Sequence, residues 1–337
     1  MTVEPGGTAP RGIVVTGSVA IDHLFRFGGR ITDQLLPEHL KRLSLSLLAD
    51  DMQVRPGGVA GNIGVGLRHL GIDPVVVAAV GHDFGDYGAE LTGRGLATRW
   101  LHVCEDLATA RFLCTSDDEG NQLATFYPGA MTRAAGIDLS AAVAEAGPGC
   151  LVLVGPNDPG AMVRYTAFCR QYGYAFAADP SQQLAVLDAA AVRSLIEGAE
   201  LLFTNEYERA LLLDRTGWSV SDVLQRTGAW VTTYGAGGVE VERLDRPPVV
   251  VGGVATSVTD PTGAGDALRA GFLAAVARAG DDRQAARIGC GLASLVLGHP
   301  GGQQYRFDRA QFTRLLTGAY GAAAAAEFSA LCPGAGG

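Results

Sequence analysis

Residues 260–272, DPTGAGDALRAGF, place two glycines and an aspartate directly before an apolar helical run. The head of a helix leaves backbone N–H groups unpaired and carries a partial positive charge, so an anion is stabilised there. Gly263 and Gly265 would let an anion approach that backbone closely, and the carboxylate of Asp266 would lie beside it as a base. The pattern indicates phosphoryl transfer, in which positioning and charge stabilisation supply nearly all of the catalysis.

A simpler interpretation of the same residues is a glycine turn in which Asp266 caps the following helix. Local rules alone leave both interpretations open. Two other phosphate-binding loops are excluded by sequence. The chain contains no G-x-x-x-x-G-K-[ST] loop, and the dinucleotide-binding fingerprint would need its glycines after the first strand, with an acid about 20 residues further on.

The elements that must position this loop follow a regular order in the second half of the chain. Strands are predicted at 150–154, 175–178, 201–203 and 229–233, with helical patterns near 159–172, 184–197, 206–215 and 219–227. This alternation is typical of βαβ units and predicts a parallel sheet covered by helices on both faces. The same domain would include strands at 13–16, 74–80 and 254–258 and a strand pair near 239–251. Its further helices are predicted at 57–70 and 84–94, within 266–298, where the first helix covers 267–279, and within 308–328.

Two other parts of the chain are patterned differently. Alternating stretches at 43–47, 52–55, 109–115 and 123–126 suit strands with one wet face, and DDEGN at 117–121 predicts a hairpin turn. These parts would form a small β-rich lid over one edge of the main domain. The predicted organisation is a large α/β domain of residues 12–23, 57–106 and 131–330, a lid of residues 24–56 and 107–130, and a loose tail of residues 1–10.

The composition excludes several classes of protein. The formal charge of −9 over 337 residues argues against nucleic acid as a partner. The apolar runs are too short to cross a membrane, and residues 1–10 lack the pattern of a signal peptide. The six cysteines form no C-x-x-C pair and the six histidines show no zinc-type spacing. The sequence therefore predicts a cytoplasmic protein with reduced thiols.

Three segments resemble, in the same order, the signatures of the ribokinase-like (phosphofructokinase-B type) kinases. They are Gly57-Gly58 with Asn62, NEYE at 205–208 and DPTGAGD at 260–266. Further segments resemble the adenosine kinases of actinobacteria: GSVAIDH at 17–23, LLPEH at 35–39, RPGGVAGN at 55–62, TFYPGAM at 125–131 and DPSQQL at 179–184. The resemblance implies a ribokinase-like three-layer α/β/α sandwich with a mainly parallel sheet and a small β-sheet lid. It also implies transfer of phosphate from ATP to the 5′-hydroxyl of adenosine, which gives AMP and ADP in purine salvage.

The resemblance also assigns residues to catalysis and to ATP. Asp266 would take the proton from the 5′-hydroxyl, while the N–H groups of Ala264, Gly265 and Asp266 would hold the transferring phosphoryl group. Gly263, Ala264 and Gly265 are thereby assigned to catalysis together with Asp266. Glu208 would act on Mg²⁺ through water, because magnesium keeps much of its hydration. The residues implied to contact ATP are Asn205, Thr233, Gly235 and Gly238. A monovalent cation such as K⁺ is a further candidate cofactor.

A third group of residues is implied to bind the nucleoside. The sugar would be contacted by Ser18, Asp22, Gly57, Gly58 and Asn62, and the base by Phe112, Gln182 and Gln183. A carboxylate such as Asp22 can accept hydrogen bonds from a ribose 2′- and 3′-hydroxyl pair. Each of these residues also has an ordinary interpretation: a loop acid, a turn, a local cap, a core aromatic or exposed amides.

The chain departs from the family pattern at two points. Pro261 stands where many relatives carry Thr, and the loop at 235–238 has no lysine where several relatives have one. Arg269 and Arg306 are candidates to replace that positive charge. Three functions stay open: an adenosine kinase, a kinase of another nucleoside or a free sugar, and a non-catalytic nucleoside-binding regulator. The apolar lid runs could form a homodimer through the lid or cover the protein's own site.

Overall fold

The computed structural model describes residues 11–35 and 45–335. The predicted tail at 1–10, residues 36–39 of the LLPEH segment and residues 43–44 of the first alternating stretch lie outside the described residues. The strands are β1 (Ile13–Thr16), β2 (Ala20–Phe27), β3 (Asp51–Gly57), β4 (Val75–Gly81), β5 (Leu101–Cys104), β6 (Ala110–Asp117), β7 (Gln122–Tyr127), β8 (Leu151–Val154), β9 (Ala175–Ala178), β10 (Leu201–Asn205), β11 (Ala229–Thr233), β12 (Val239–Glu242) and β13 (Val249–Val251).

The helices alternate with these strands. They are α1 (Val59–His69), α2 (Gly85–Gly93), α3 (Ser140–Ala146), α4 (Pro159–Tyr172), α5 (Ala189–Ile196), α6 (Glu206–Thr216), α7 (Val220–Leu224), α8 (Ala264–Val276), α9 (Asp282–Leu297), α10 (Arg309–Tyr320) and α11 (Ala322–Leu331). Within the described residues, none of the helices is long and apolar enough to cross a membrane.

The large sheet has nine strands in the order β13-β12-β11-β10-β9-β8-β1-β4-β5. The strands from β11 to β5 run parallel to their neighbours, while β12 and β13 are added antiparallel at one edge. Strands β1 and β8 are buried along their whole length and, apart from Thr16, apolar, as expected of parallel strands that are covered on both faces. The predicted mainly parallel sheet is confirmed.

Alternate side chains of the central strands enter two separate cores. Ile13 and Val15 pack with residues of α1, α8, α9, α10 and α11, whereas Val14 packs on the other face with residues of α3, α4, α5, α6 and α7. Because side chains alternate along a strand, a single apolar run supplies both layers. The result is the predicted arrangement of helices on both sides of the sheet.

The second sheet is small, with the strand order β3-β2-β6-β7. Strand β2 pairs antiparallel with β3 and parallel with β6, and β6 with β7 forms the predicted hairpin. The hairpin turn is closed by the Asp117 carboxylate, which accepts hydrogen bonds from the backbone N–H groups of Glu119 and Asn121. Strand β2 begins at Ala20, inside the range that the sequence assigned to the large domain.

Two sequence-based expectations need correction. The predicted strand at 254–258 is not formed, because β13 ends at Val251 and the mostly exposed residues that follow have no neighbouring strand to pair with. The helix predicted at 267–279 is α8, which begins at Ala264 and ends at Val276. The earlier start brings the GAG residues into the first turn of the helix.

Candidate active site

The predicted site residues lie at the edge of the large sheet where its parallel strands end. Ser18 follows β1, Asn205 ends β10, Thr233 ends β11, and the segment at 179–184 follows β9. Ligands of open α/β sheets bind outside the carboxyl ends of the strands. The topology therefore collects residues from the whole chain at one edge.

The GAGD loop approaches this edge through Gly263, the N-cap of α8. Gly263 has a φ of +79°, and a β-carbon at this position would lie 2.4 Å from the Cα of Gly302. Only glycine meets both conditions without strain. The head of α8 is thus pressed against the loop that contains Gly302.

The Asp266 carboxylate faces away from the cap position. Its Oδ2 accepts a hydrogen bond from Asn62 Nδ2 at 2.7 Å, and the N-cap of α8 has no side-chain hydrogen bond. The capping interpretation therefore does not describe the contacts of Asp266. The N–H groups of Gly265 and Asp266 donate to no protein acceptor in the described part of the chain, and that of Ala264 makes only a long bond, 3.3 Å, to Pro261 O.

The surroundings of Asp266 make it a suitable base. Loss of hydration raises the pKa of Asp266 to about 6, while the hydrogen bond from Asn62 and the charge of Arg269 act in the opposite direction. A carboxyl group with this pKa is mostly ionised at pH 7 and still accepts a proton more readily than an ordinary aspartate.

Asp22 lies in β2 rather than in a loop after the first strand, and it is only 5% exposed. Burial, together with the charges of Asp266 and Asp260, raises its pKa to about 7, against the opposing charge of Arg55. The influence of Asp266 on Asp22 shows that the two carboxyl groups belong to one cluster.

Ser18 and Gly58 both act at the head of α1. Gly58 is the N-cap, and the Ser18 hydroxyl oxygen accepts from Val59 N at 3.1 Å. The Ser18 carbonyl also accepts from Ala60 N at 2.8 Å. Ser18 therefore makes the local cap that the sequence left open, and its hydroxyl hydrogen can still donate to a ligand.

The base-binding candidates are divided between the small sheet and the segment at 181–185. Phe112 on β6 is paired with Asp22 on the neighbouring strand β2 and with Phe126 on the neighbouring strand β7. Directly paired residues point to the same face, so the three share one face of the small sheet. The sequence reasoning missed Phe126, although the alternation at 123–126 could have indicated it. Gln183 Nε2 donates to Asn157 O at 2.8 Å, and the exposed Gln182 accepts from the Ser181 hydroxyl at 2.7 Å.

A cavity of about 580 Å³ adjoins the head of α8. Its lining includes three of the four predicted ATP residues, Thr233, Gly235 and Gly238, together with Ala264 and Gly265. The remaining lining is largely apolar and includes Val254, Leu268, Cys290, Ala293 and Leu297. A polar end at the helix head and an apolar interior match the two ends of a nucleotide.

Asn205 does not line this cavity; it forms a capping box with Glu208 at the start of α6. Glu208 Oε2 accepts from Asn205 N at 2.8 Å, whereas Oε1 lies 3.3 Å from the Ser181 hydroxyl oxygen, which donates its hydrogen to Gln182. Burial raises the pKa of Glu208, against the charge of Arg269. Oε2 is therefore engaged, while Oε1 keeps the capacity to accept a hydrogen bond from a water ligand of Mg²⁺.

No group of three or more His, Cys, Asp or Glu side chains that could hold a metal ion occurs in residues 11–35 and 45–335. The loop at 235–238 also gains no positive charge from Arg269. The guanidinium of Arg269 is buried, donates to Asp179 Oδ1 at 2.7 Å and to Gly265 O at 3.1 Å, and is held by these contacts. The sequence reasoning missed this ion pair.

Comparisons with known proteins agree with this geometry. A family model described as pfkB family carbohydrate kinase matches residues 15–306. A nucleoside kinase of Methanocaldococcus jannaschii is 26% identical over 290 residues, which cover 85% of this chain and 90% of the relative.

Solved structures extend the comparison. The nucleoside kinase of Burkholderia thailandensis in complex with inosine is 32% identical and aligns with a TM-score of 0.81, covering 92% of this chain and 98% of the other. The ligand-free form of the same protein aligns with a TM-score of 0.74 over 90% and 99% of the two chains. A ribokinase of Thermotoga maritima, at 20% identity and a TM-score of 0.74 over 91% and 99%, shows the fold alone. The predicted ribokinase-like fold is confirmed.

Proposed function

The chain belongs to the pfkB family of carbohydrate kinases, and we propose that it is an ATP-dependent nucleoside kinase acting on the 5′-hydroxyl of adenosine. The products would be AMP and ADP, as in purine salvage. The nucleoside kinases of Methanocaldococcus jannaschii and Burkholderia thailandensis support the nucleoside as acceptor class. The resemblance to actinobacterial adenosine kinases in segments such as DPSQQL at 179–184 favours adenosine within that class.

One observation carries this proposal: the head of α8 lies between the cavity proposed for ATP and the carboxylates proposed to contact the nucleoside. On one side Ala264 and Gly265 line the cavity that would take ATP. On the other side the Asp266 carboxylate accepts a hydrogen bond from Asn62, and its negative charge raises the pKa of Asp22. A γ-phosphate held at the helix head would therefore lie next to both the base and the sugar-binding carboxylate.

In the proposed reaction Asp266 accepts the proton of the 5′-hydroxyl as its oxygen attacks the γ-phosphorus of ATP, and the bond to the β-phosphate oxygen breaks. The N–H groups of Gly265 and Asp266, which have no protein acceptor in the described residues, would hold the phosphoryl oxygens. Mg²⁺, when bound with ATP, would neutralise phosphate charge, and Glu208 would hold its water ligands. A monovalent cation such as K⁺ is a further candidate.

The ribose would be oriented by Asp22, Asn62 and the backbone at Gly57 and Gly58. The base would lie against Phe112 and Phe126, on the face of the small sheet that also carries Asp22, with Gln182 and Gln183 at the edge of the base. The small sheet, with residues 24–56 and 107–130 as its proposed extent, would act as the lid. Its closure would exclude water, which otherwise competes with the hydroxyl as acceptor.

The outer face of the small sheet carries exposed apolar side chains, among them Met52, Val54 and Leu123. Strand pairing places them on the face opposite to Asp22 and Phe112. This separation supports the proposal of a homodimer through the lid, because the apolar residues then do not serve the chain's own site.

Inosine is the second candidate acceptor, because the 32% identical Burkholderia kinase was solved with inosine bound. The decisive experiment is a panel of adenosine, inosine, guanosine, ribose and fructose in an ADP-release assay with ATP and Mg²⁺, with product identification by mass. The proposal expects the highest kcat/KM with adenosine. A preference for ribose or fructose would replace it with a sugar kinase, and no ADP release with any acceptor would favour a nucleoside-binding regulator.

A further inference from the structure

Gln303 lies in the segment between α9 and α10 and is fully buried. Its Nε2 donates to two acceptors, Asn62 Oδ1 at 2.9 Å and the Tyr87 hydroxyl at 2.6 Å. The Tyr87 hydroxyl in turn donates to Gly57 O at 2.8 Å. One buried amide thus links segments that are far apart in sequence, directly behind the Asn62–Asp266 hydrogen bond.

The chemistry of Asp266 determines which way the Asn62 amide must point. An ionised carboxylate only accepts hydrogen bonds, so Asn62 must turn its NH₂ group to Asp266, and its Oδ1 then faces the interior. A buried amide oxygen needs a donor, and Gln303 supplies it. In the reversed orientation, Asn62 would present its oxygen to the carboxylate and repel it.

The other end of the Gln303 amide is left without a partner. Its Oε1 is buried and has no hydrogen-bond partner among the described residues. The side-chain hydrogen bonds of Gln303 are thus both made by Nε2, and the one to Asn62 is the one that leads to Asp266.

We propose that Gln303 is a positioning residue that keeps the NH₂ group of Asn62 directed at Asp266. This inference rests on the proposed function, in which Asp266 is the base. A donor directed at the ionised carboxylate favours that form, so Gln303 helps to keep Asp266 ionised and fixes the direction in which it accepts the proton. Without the Gln303 donor, the side-chain amide of Asn62 is free to flip into the reversed orientation.

Other groups also act on Asp266 and stay in place when Gln303 is changed. Arg269 on α8 lowers its pKa and Asp179 after β9 raises it. Asp22 on β2 and the buried hydroxyl of Tyr305 also lie within the influence of its charge. None of these four residues hydrogen-bonds to Gln303 in the described part of the chain. Asn62 is the partner of Gln303 that contacts Asp266, while its other side-chain partner, Tyr87, contacts Gly57.

The test compares the pH profile of kcat for the wild type, Gln303→Leu, Gln303→Glu and Gln304→Leu. Gln304 is the exposed neighbour of Gln303 and serves as the matched control. Loss of a hydrogen bond to a charged group should move the acid limb of kcat about one pH unit higher in both Gln303 variants. The KM for ATP should stay within about twofold, because Gln303 has no contact with the ATP cavity.

Gln303→Glu has nearly the same shape as the wild-type residue and carries the test if Gln303→Leu does not fold. In an Asn62→Ala background, Gln303→Leu should add no further shift, because the amide through which it acts is gone. Three outcomes would overturn the proposal: Gln303 profiles that coincide with Gln304→Leu, an undiminished shift in the Asn62→Ala background, or unfolding of both Gln303 variants while Gln304→Leu folds.

Failure of the proposed function would look different. Wild-type protein would then phosphorylate no acceptor in the panel, or Asp266→Asn would keep wild-type turnover. Either result would overturn the Gln303 proposal together with the function. An active wild type with an inactive Asp266→Asn variant, and Gln303 variants that match Gln304→Leu, would remove the Gln303 proposal alone.

Discussion

The carboxylate of Asp22 fills the space beside Gly57 in which a larger residue would carry its side chain. A β-carbon built on Gly57 would lie 2.2 Å from Asp22 Oδ2 and 2.4 Å from its Cγ. The two residues are on the paired strands β2 and β3, and Gly57 is the last residue before the cap of α1. The absence of a side chain at position 57 is therefore what allows a carboxylate to lie at the head of that helix.

Gly57→Ala should displace Asp22 and weaken nucleoside binding. Overlap at 2.2 Å forces the carboxylate to move, and a shift of about 1 Å at such a site can cost about 10²-fold in kcat/KM. The KM for ATP should change little. Gly93→Ala is the matched control, because a β-carbon there meets no atom within 4 Å. Equal kinetics for the two variants would show that Asp22 has no part in acceptor binding.

Asp22→Asn should stabilise the protein at high pH. The pKa of Asp22 is about 7 in the folded chain against an ordinary value of 3.8, so the folded state binds the extra proton more tightly. The contribution of this group to the free energy of unfolding is fully present below about pH 4 and is lost as the pH rises towards 7. An amide carries no charge, so the variant should gain on the order of 2–4 kcal/mol over wild type between pH 4 and pH 8.

Urea unfolding at pH 4.5 and pH 8 measures this difference in the free energy of unfolding. Asp214→Asn, on the exposed side of α6, controls for the loss of one negative charge. A stability difference between Asp22→Asn and wild type that does not grow with pH would contradict a raised pKa for Asp22.

Asp266→Asn should bind nucleoside with nearly unchanged affinity and lose most of its turnover. The amide keeps the size of the carboxylate but cannot accept a proton, and removal of a general base lowers kcat by about 10²–10⁴-fold. Calorimetric titration with adenosine and a steady-state ADP-release assay separate the two effects. Wild-type turnover in this variant would remove Asp266 from the base role.

The sequence predicted the regular elements best where their ends carry local signals. Helix α4 matches its predicted range of 159–172 because the Asp158 side chain accepts from Ala161 N at the start and Gly173 ends the helix in a left-handed conformation. Strand β2 was harder to recognise, because Asp22, His23 and Arg26 interrupt its apolar residues. Only its pairing with β3 and β6 makes it a strand.

The site was predictable only in part for a similar reason. The sequence and its family resemblance indicated Asn62 and Asp266 separately, but their hydrogen bond joins residues 204 positions apart, which spacing cannot reveal. Gln303 lies in the glycine-rich stretch GGQQ and resembles a residue of an exposed turn. The fold buries it completely, because the loop packs against the heads of α1 and α8.

Arg269→Met should lower the stability of the protein strongly. The Arg269–Asp179 ion pair is 8% and 1% exposed at its side chains, so the variant leaves the Asp179 carboxylate buried without its cation. Breaking a buried pair in this way lowers the free energy of unfolding by about 3–5 kcal/mol. Arg133→Met removes an ion pair with Asp106 whose side chains are 57% and 67% exposed, and this should lower it by at most about 1 kcal/mol.

The double variant Arg269→Met/Asp179→Asn distinguishes a buried charge from lost packing. If the uncompensated carboxylate causes the loss, the neutral amide at position 179 should restore much of the stability, and the two substitutions should be far from additive. Chemical denaturation of the two single variants, the double variant and Arg133→Met measures the coupling. Additive losses would mean that Arg269 stabilises the fold through its packing over the Phe203 ring, 5.6 Å from its guanidinium carbon, rather than through Asp179.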